Sequence, residues 1–284
     1  MNKPELNISI IIVTYNSGKI LKDCLNSLQR NIPDDEIIVV DNHPEDADFK
    51  DCSSLFPEIR FISNPENNGF GGGNNLGVRY SSGELLFFLN PDTVVEEFNR
   101  ESIISHYNKN PLTITGFPLY YPDGKYCKPV KFLPEIDFIL PKKLYNPLYK
   151  AIFTKDTNIS PLLYISGAAF IIRKDLFELT GGFDESYFLF FEENELRSSL
   201  KKIRKYNPYI LSKGFKIIHH EGKSYNRNAI KWYSDSLKIY SQKHRKIYLP
   251  IYKRFSTFLS LIVSKMCNKD GKSKRILINE LKKH

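Results

Sequence analysis

Three places in the chain set reactive side chains directly behind greasy runs. Leu85-Leu86-Phe87-Phe88-Leu89 stops at Asn90-Pro91-Asp92, Tyr187-Phe188-Leu189-Phe190-Phe191 leads into Glu192-Glu193-Asn194-Glu195, and GFKII delivers His219 and His220. Carboxylate oxygens are hard ligands for a cation, and beside aromatic walls that exclude water they become bases with raised proton affinity. Imidazole supplies a nitrogen ligand or carries a proton. Each cluster also has a plainer use. Proline lacks an amide proton and ends strand pairing, acidic residues in a first helical turn suit the helix dipole, and a lone histidine is commonly structural.

A fourth stretch, NPENNGFGGGNNLG, carries glycines at 69, 71, 72, 73 and 77. Read as a loop, it lets the backbone come close to a ligand, and the helix that follows offers its N-terminus to a phosphate. It has no Lys-Ser/Thr of a P-loop. Nor does it match GxGxxG followed by a ribose-binding acid after the first strand, which makes a dinucleotide site a poor fit.

These residues need elements to position them. ISIIIVTY is a β-branched, uninterrupted run, as a strand buried on both faces is, and GKILKDCLNSLQR then places Ile20, Leu21, Cys24, Leu25 and Leu28 at helical spacing. EIIVVDN and IRFISN read as the second and third strands, NNLGVRYSS as a helix, and ELLFFLNPD as the fourth strand. Strand alternating with helix predicts an α/β fold with a mostly parallel sheet. Thr14-Tyr15-Asn16-Ser17, Asp41-Asn42 and Asn90-Pro91-Asp92 then fall at strand exits along one edge, where open sheets bind nucleotide-sized ligands.

Composition sets the outer limits. The chain has 284 residues, 41% of them hydrophobic, enough for one large domain with an appendage. Cys24, Cys52, Cys127 and Cys267 lack metal or disulfide spacing, which fits a reducing cytoplasm. The N-terminal apolar run is too short for a signal peptide, and no stretch reads as a membrane span. Charge is uneven: from Leu196 onward there are 23 Lys/Arg against 4 Asp/Glu, and before it 18 against 28. The C-terminal part therefore seeks anions.

In order and spacing, IIIVTYNS, IIVVDN, NPENNGFGGGNNLG, LLFFLNPDT, SGAAFIIRKDLFELTGGFDESYFLFFEENEL and IIHHEGKS resemble the inverting family 2 glycosyltransferases of the GT-A fold. The similarity is greatest to rhamnosyltransferase-like members that build O-antigen lipopolysaccharide, capsule and related bacterial surface polysaccharides. It runs from Ile8 to about Ser224.

The resemblance implies a Rossmann-like catalytic domain over residues 1–228, with a nucleotide-binding half to about 95 and an acceptor half from about 96, followed by a helical basic extension over 229–284. It implies that Thr14, Tyr15 and Asn16 frame the base and ribose and that Asp41 bonds the pyrimidine or its sugar. Asn68, Gly69, Gly73 and Asn75 are then expected along the nucleotide crevice. Asn90-Pro91-Asp92 stands where many relatives have Asp-x-Asp, which makes Asp92 the ligand of a divalent Mn2+ or Mg2+ ion, with an amide in place of the first carboxylate.

His219 falls at the histidine of a His-x-Gly-Gly-x-Ser pattern, here with Glu221 for its first glycine, so either His219 or His220 joins Asp92; a nitrogen ligand favours manganese. The Glu-Asp catalytic pair corresponds to Glu192-Glu193, with Glu193 the base, and Gly167, Ala168, Asp184 and Glu185 are expected to shape the donor and acceptor pocket. The implied reaction transfers a sugar from dTDP-rhamnose or a UDP-hexose to a glycan acceptor, expected to be lipid-linked, at the cytoplasmic side of the inner membrane.

NAIKWYSDSLKIYSQKHRK reads as an amphipathic helix. Beyond it Tyr248, Ile251, Tyr252, Phe255, Phe258, Leu259, Ile262 and Met266 form a stripe, flanked by Lys253, Arg254 and Lys265. The stripe suits an anionic membrane interface, or packing on the catalytic domain. Nucleic acid is a poor partner, since the tail's aromatics follow a helical stripe and form no stacking sheet. A nucleotidyltransferase fits less well for want of an early G-x-G-x-R segment, and an inactive nucleotide-sugar binder stays open because Asn90 and Glu193 depart from the family pattern.

Overall fold

The computed structural model describes residues 6–43, 47–137, 155–220 and 228–254. The first half runs β1 (Ile8–Thr14), α1 (Gly18–Asn31), β2 (Glu36–Asp41), α2 (Ala47–Leu55), β3 (Arg60–Ser63), α3 (Gly69–Arg79), β4 (Leu85–Leu89), β5 (Thr93–Phe98) and α4 (Arg100–Lys109). It continues with β6 (Thr113–Gly116), β7 (Leu119–Tyr120), β8 (Tyr126–Cys127), β9 (Val130–Phe132), α5 (Pro134–Asp137), β10 (Thr157–Asn158), β11 (Leu163–Ile165), β12 (Ala169–Arg173), α6 (Lys174–Leu179), α7 (Glu192–Lys202), β13 (Asn207–Ile210), β14 (Phe215–His219) and α8 (Ala229–Lys243).

A central sheet has the order β10-β13-β6-β12-β4-β1-β2-β3. The β4-β1-β2-β3 half is parallel, as alternating strands and helices require, while β12 runs antiparallel between β4 and β6. On β1, Ile10 and Ile12 share a core with Leu21, Cys24, Leu25 and Leu28 of α1, whereas Ile11 joins Val78 of α3 on the other face. A strand covered on both faces has no cause to alternate, which explains its unbroken apolar sequence.

The glycine-rich stretch is not the expected loop. Helix α3 already begins at Gly69 and takes in Gly71, Gly72, Gly73 and Gly77. A Cβ at Gly77 would lie 2.6 Å from Ile11 Cγ2 and one at Gly73 2.8 Å from Val13 Cγ1, so these glycines let a helix settle directly onto β1. Close packing, more than backbone freedom, is their role.

A second sheet, β5-β14-β7-β8, sits where the chain leaves β4. Helix α8 lies against the segment before α7: Tyr187 and Phe191 form a cluster with Leu237, Tyr240 and Leu249, and Ser236 Oγ donates to the Leu189 carbonyl at 2.8 Å. Among the described residues no helix is long and apolar enough to cross a membrane.

Candidate active site

Asp92 and His219 meet because of how two sheets are joined. Pro91 ends β4, Thr93 opens β5, and the β5–β14 ladder sets Thr93 opposite His219. Asp92 Oδ1 thus lies 3.2 Å from His219 Nε2, with both side chains largely buried. The contact is an ion pair, yet Oδ1 has no well-directed hydrogen bond. His219 Nδ1 lies 3.7 Å from Cys127 Sγ. Burial alone would depress the imidazole, but its contacts with Asp92 and Cys127 outweigh that and raise it to about 9.

One carboxylate oxygen lacking a directed partner, beside an imidazole nitrogen that becomes a ligand once its proton is displaced, is a donor set that suits manganese or magnesium. No third His, Cys, Asp or Glu gathers into a metal-holding group among the described residues. His220 donates its backbone N–H to the Asp92 carbonyl at 2.9 Å, and its ring is not on the cleft wall, so of the two histidines it is His219 that faces Asp92. Glu221 and Ser224 fall outside the described residues.

The carboxylate pair is aimed by a strained entry into α7. Phe190 and Phe191 take φ of 73° and 74°, a left-handed conformation that costs a bulky residue about 1–2 kcal/mol and persists only where packing holds it. Phe191 is held against Tyr233 and Tyr240 of α8. The turn buries Glu192, at 1% exposure, and brings Glu193 to the cleft wall. Burial, then the neighbouring Glu193 carboxylate, pushes Glu192 well above the usual carboxylate range, so Glu192 retains its proton at higher pH than an exposed glutamate. The desolvated carboxylate that the aromatic run foretold is therefore Glu192. Glu193 Oε1 accepts the Gly167 N–H at 2.8 Å, and a Cβ at Gly167 would stand 2.5 Å from that oxygen.

A single cleft of about 510 Å³ collects most of the expected residues: Thr14, Tyr15, Gly69, Asn90, Asp92, Gly167, Ala168, Glu192, Glu193 and His219 all line it. Others stand behind the wall. Asp41 is fully buried and its Oδ1 accepts the His43 N–H at 2.9 Å. Asn68 and Asn75 both donate to Glu185, at 3.1 and 2.9 Å, which ties α3 to the segment before α7. Gly73 faces Val13 and Asn42, and Asp184 pairs with Lys243 of α8. Asn16 follows Tyr15 with φ 50° and is exposed, off the cleft wall.

The cleft also holds Ser17 and Asn42 of the expected strand-exit edge and Asn67 of the glycine-rich stretch, together with residues that the sequence reading did not single out for it: Lys131 on β9, Ser166, Asn228 just before α8 and Trp232 on it. Lys131 sits in no motif, and only the pairing of β9 with β11 brings it near Glu192. Trp232 was foreseeable as part of a helix but not as part of a site.

Known proteins resemble this chain in sequence and in fold. The description "Glycosyl transferase family 2" matches residues 9–180. A low-salt glycan biosynthesis hexosyltransferase of Haloferax volcanii is 32% identical over 66% of this chain and 60% of its own length. A rhamnosyltransferase of Escherichia coli is 25% identical over 84% and 94%, and an N-acetylglucosaminyl-diphospho-decaprenol L-rhamnosyltransferase of Mycobacterium tuberculosis is 22% identical over 78% of each chain. In fold, the chain is similar to S. aureus TarS (TM-score 0.54, 15% identity, covering 97% of this chain and 70% of that one). It is likewise similar to GalNAc-T7 crystallised with UDP, GalNAc and Mn2+ (TM-score 0.60, 14% identity, 97% and 55%). The expected GT-A architecture is thus present, and the chain belongs to glycosyl transferase family 2.

Proposed function

We propose that this glycosyltransferase moves a sugar, with inversion, from dTDP-rhamnose or a UDP-hexose to a lipid-linked glycan acceptor in the assembly of an O-antigen or capsule-type surface polysaccharide. The observation that carries the reading is that Asp92, His219 and Glu193 share one cleft with the strand-exit residues Thr14 and Tyr15. In this reading Thr14 and Tyr15 frame the nucleoside. Asp92 and His219 would hold a manganese or magnesium ion, which when bound neutralises charge on the departing diphosphate. Glu193 removes the proton from the attacking acceptor hydroxyl, held in place by the Gly167 N–H. Glu192, whose burial raises its proton affinity, resists placing a second negative charge beside it. Attack from the face opposite the leaving group inverts the anomeric centre.

A diphosphate-linked lipid acceptor is named for the mycobacterial relative, and the basic C-terminal part of this chain suits an anionic inner-membrane surface on the cytoplasmic side. A thermal-shift panel of nucleotide sugars with and without Mn2+ tests the proposal. At about a hundredfold above Kd the true donor raises Tm by about 5 °C, more with the metal than without. If no nucleotide sugar moves Tm, the reading fails.

A further inference from the structure

The family match ends at residue 180, but one wall of the cleft comes from α8, well beyond it. Trp232 is the chain's one tryptophan, and its ring packs tilted against Phe188 with centroids 4.8 Å apart. It is only half-buried, and its indole N–H has no hydrogen-bond partner among the described residues. A half-covered indole with an unused donor in a ligand-sized cleft matches the two faces of a pyranose: an apolar C–H face to stack on the ring, and hydroxyls to accept from the N–H.

We infer that Trp232, seated on Phe188, is the stacking platform for the acceptor sugar. The assignment to acceptor follows from the attachments of the wall. Phe188 lies in the same segment that swings Glu193 into the cleft, and α8 is locked to that segment by Ser236 on the Leu189 carbonyl and by Tyr233 against Phe190 and Phe191. The base and the platform are therefore held by one unit. The nucleoside end is made by β1 and its neighbours, at Thr14 and Tyr15. Helix α8 lies past the span of the family resemblance, which ends at about Ser224, and this suits Trp232 to distinguish acceptors. The inference rests on the glycosyltransferase reading and deepens it.

The lone tryptophan reports on its own site. Full-length protein loaded with UDP or dTDP and Mn2+ is titrated with methyl pyranosides of rhamnose, glucose, galactose, mannose and N-acetylglucosamine while indole emission is followed. At least one pyranoside quenches or blue-shifts the emission saturably, and UDP or dTDP alone does not. In transfer to that pyranoside, Trp232→Ala raises its KM about tenfold, a loss of about 1.4 kcal/mol, while Trp232→Phe, which keeps the packing on Phe188, recovers most of it. The donor KM moves much less. The inference is overturned if no pyranoside changes the emission, if the nucleotide alone does, or if the Ala variant shifts the donor KM and spares the acceptor KM. Failure of the glycosyltransferase reading looks different: wild-type protein then shows no nucleotide-sugar binding in the thermal-shift panel, whatever the indole reports.

Discussion

Gly167 and Glu193 are fitted to one another at the scale of single atoms. The carboxylate occupies the space a Cβ would need, and the amide behind that space donates to it. Gly167→Ala must push Glu193 aside, and an ångström of misplacement at a reacting group costs about a hundredfold. We expect kcat to fall by about that factor with the fold intact by circular dichroism; wild-type turnover would show that this geometry is irrelevant to the reaction. Glu192 makes a prediction about stability. Its proton affinity is raised in the folded state, so its favourable contribution is complete below the unfolded value of 4.5 and is lost as pH rises through the raised value. Glu192→Gln, a neutral mimic, should therefore lose less Tm than wild type as pH is raised above 4.5. Parallel Tm-against-pH curves for the two proteins would contradict the assignment of a retained proton.

Among the elements, α3 shows what sequence patterns disclose and what they conceal. Strands β1, β2 and β4 and helix α1 were legible because burial on both faces, or on one face at helical spacing, writes itself into residue order. The glycines of α3 were visible too, but their purpose was not, since a glycine spared for a ligand and one spared for a neighbouring strand look alike until the strand is in place. Gly77→Ala separates the two uses: a Cβ driven against Ile11 and Val40 should cost about 1–3 kcal/mol in chemical denaturation, with donor KM little changed. A donor KM that rises sharply without loss of stability would return α3's glycines to the ligand. The Asp92–His219 meeting was legible only as two separate motifs, because the ladder that joins them runs between strands distant in sequence. Lys131 and Trp232 left no local sign, their place in the cleft being set wholly by tertiary packing.

The whole molecule divides its labour unevenly. Helix α8, read from sequence as the start of an appendage, is woven into the catalytic face: His244 Nε2 lies 2.8 Å from the buried Glu195 carboxylate of α7, Tyr187 OH donates to the same group at 3.2 Å, and Lys246 pairs with Glu135. After it, Ile247, Tyr248, Ile251 and Tyr252 remain exposed, while the rest of the stripe, from Phe255, falls outside the described residues. With the basic excess from Leu196 onward, this exposed start favours the proposed membrane contact. The full chain should float with vesicles rich in anionic lipid, not with neutral ones, and should detach as salt rises; equal recovery from both would remove the membrane from the account.

The proposed base opposite the nucleoside-diphosphate donor is Glu193. Transfer of radiolabelled sugar by Glu193→Gln tests it most directly. With Glu193 as the base, kcat of the variant falls by about a hundredfold or more while the donor still binds as in wild type; turnover at the wild-type rate rules Glu193 out as the base.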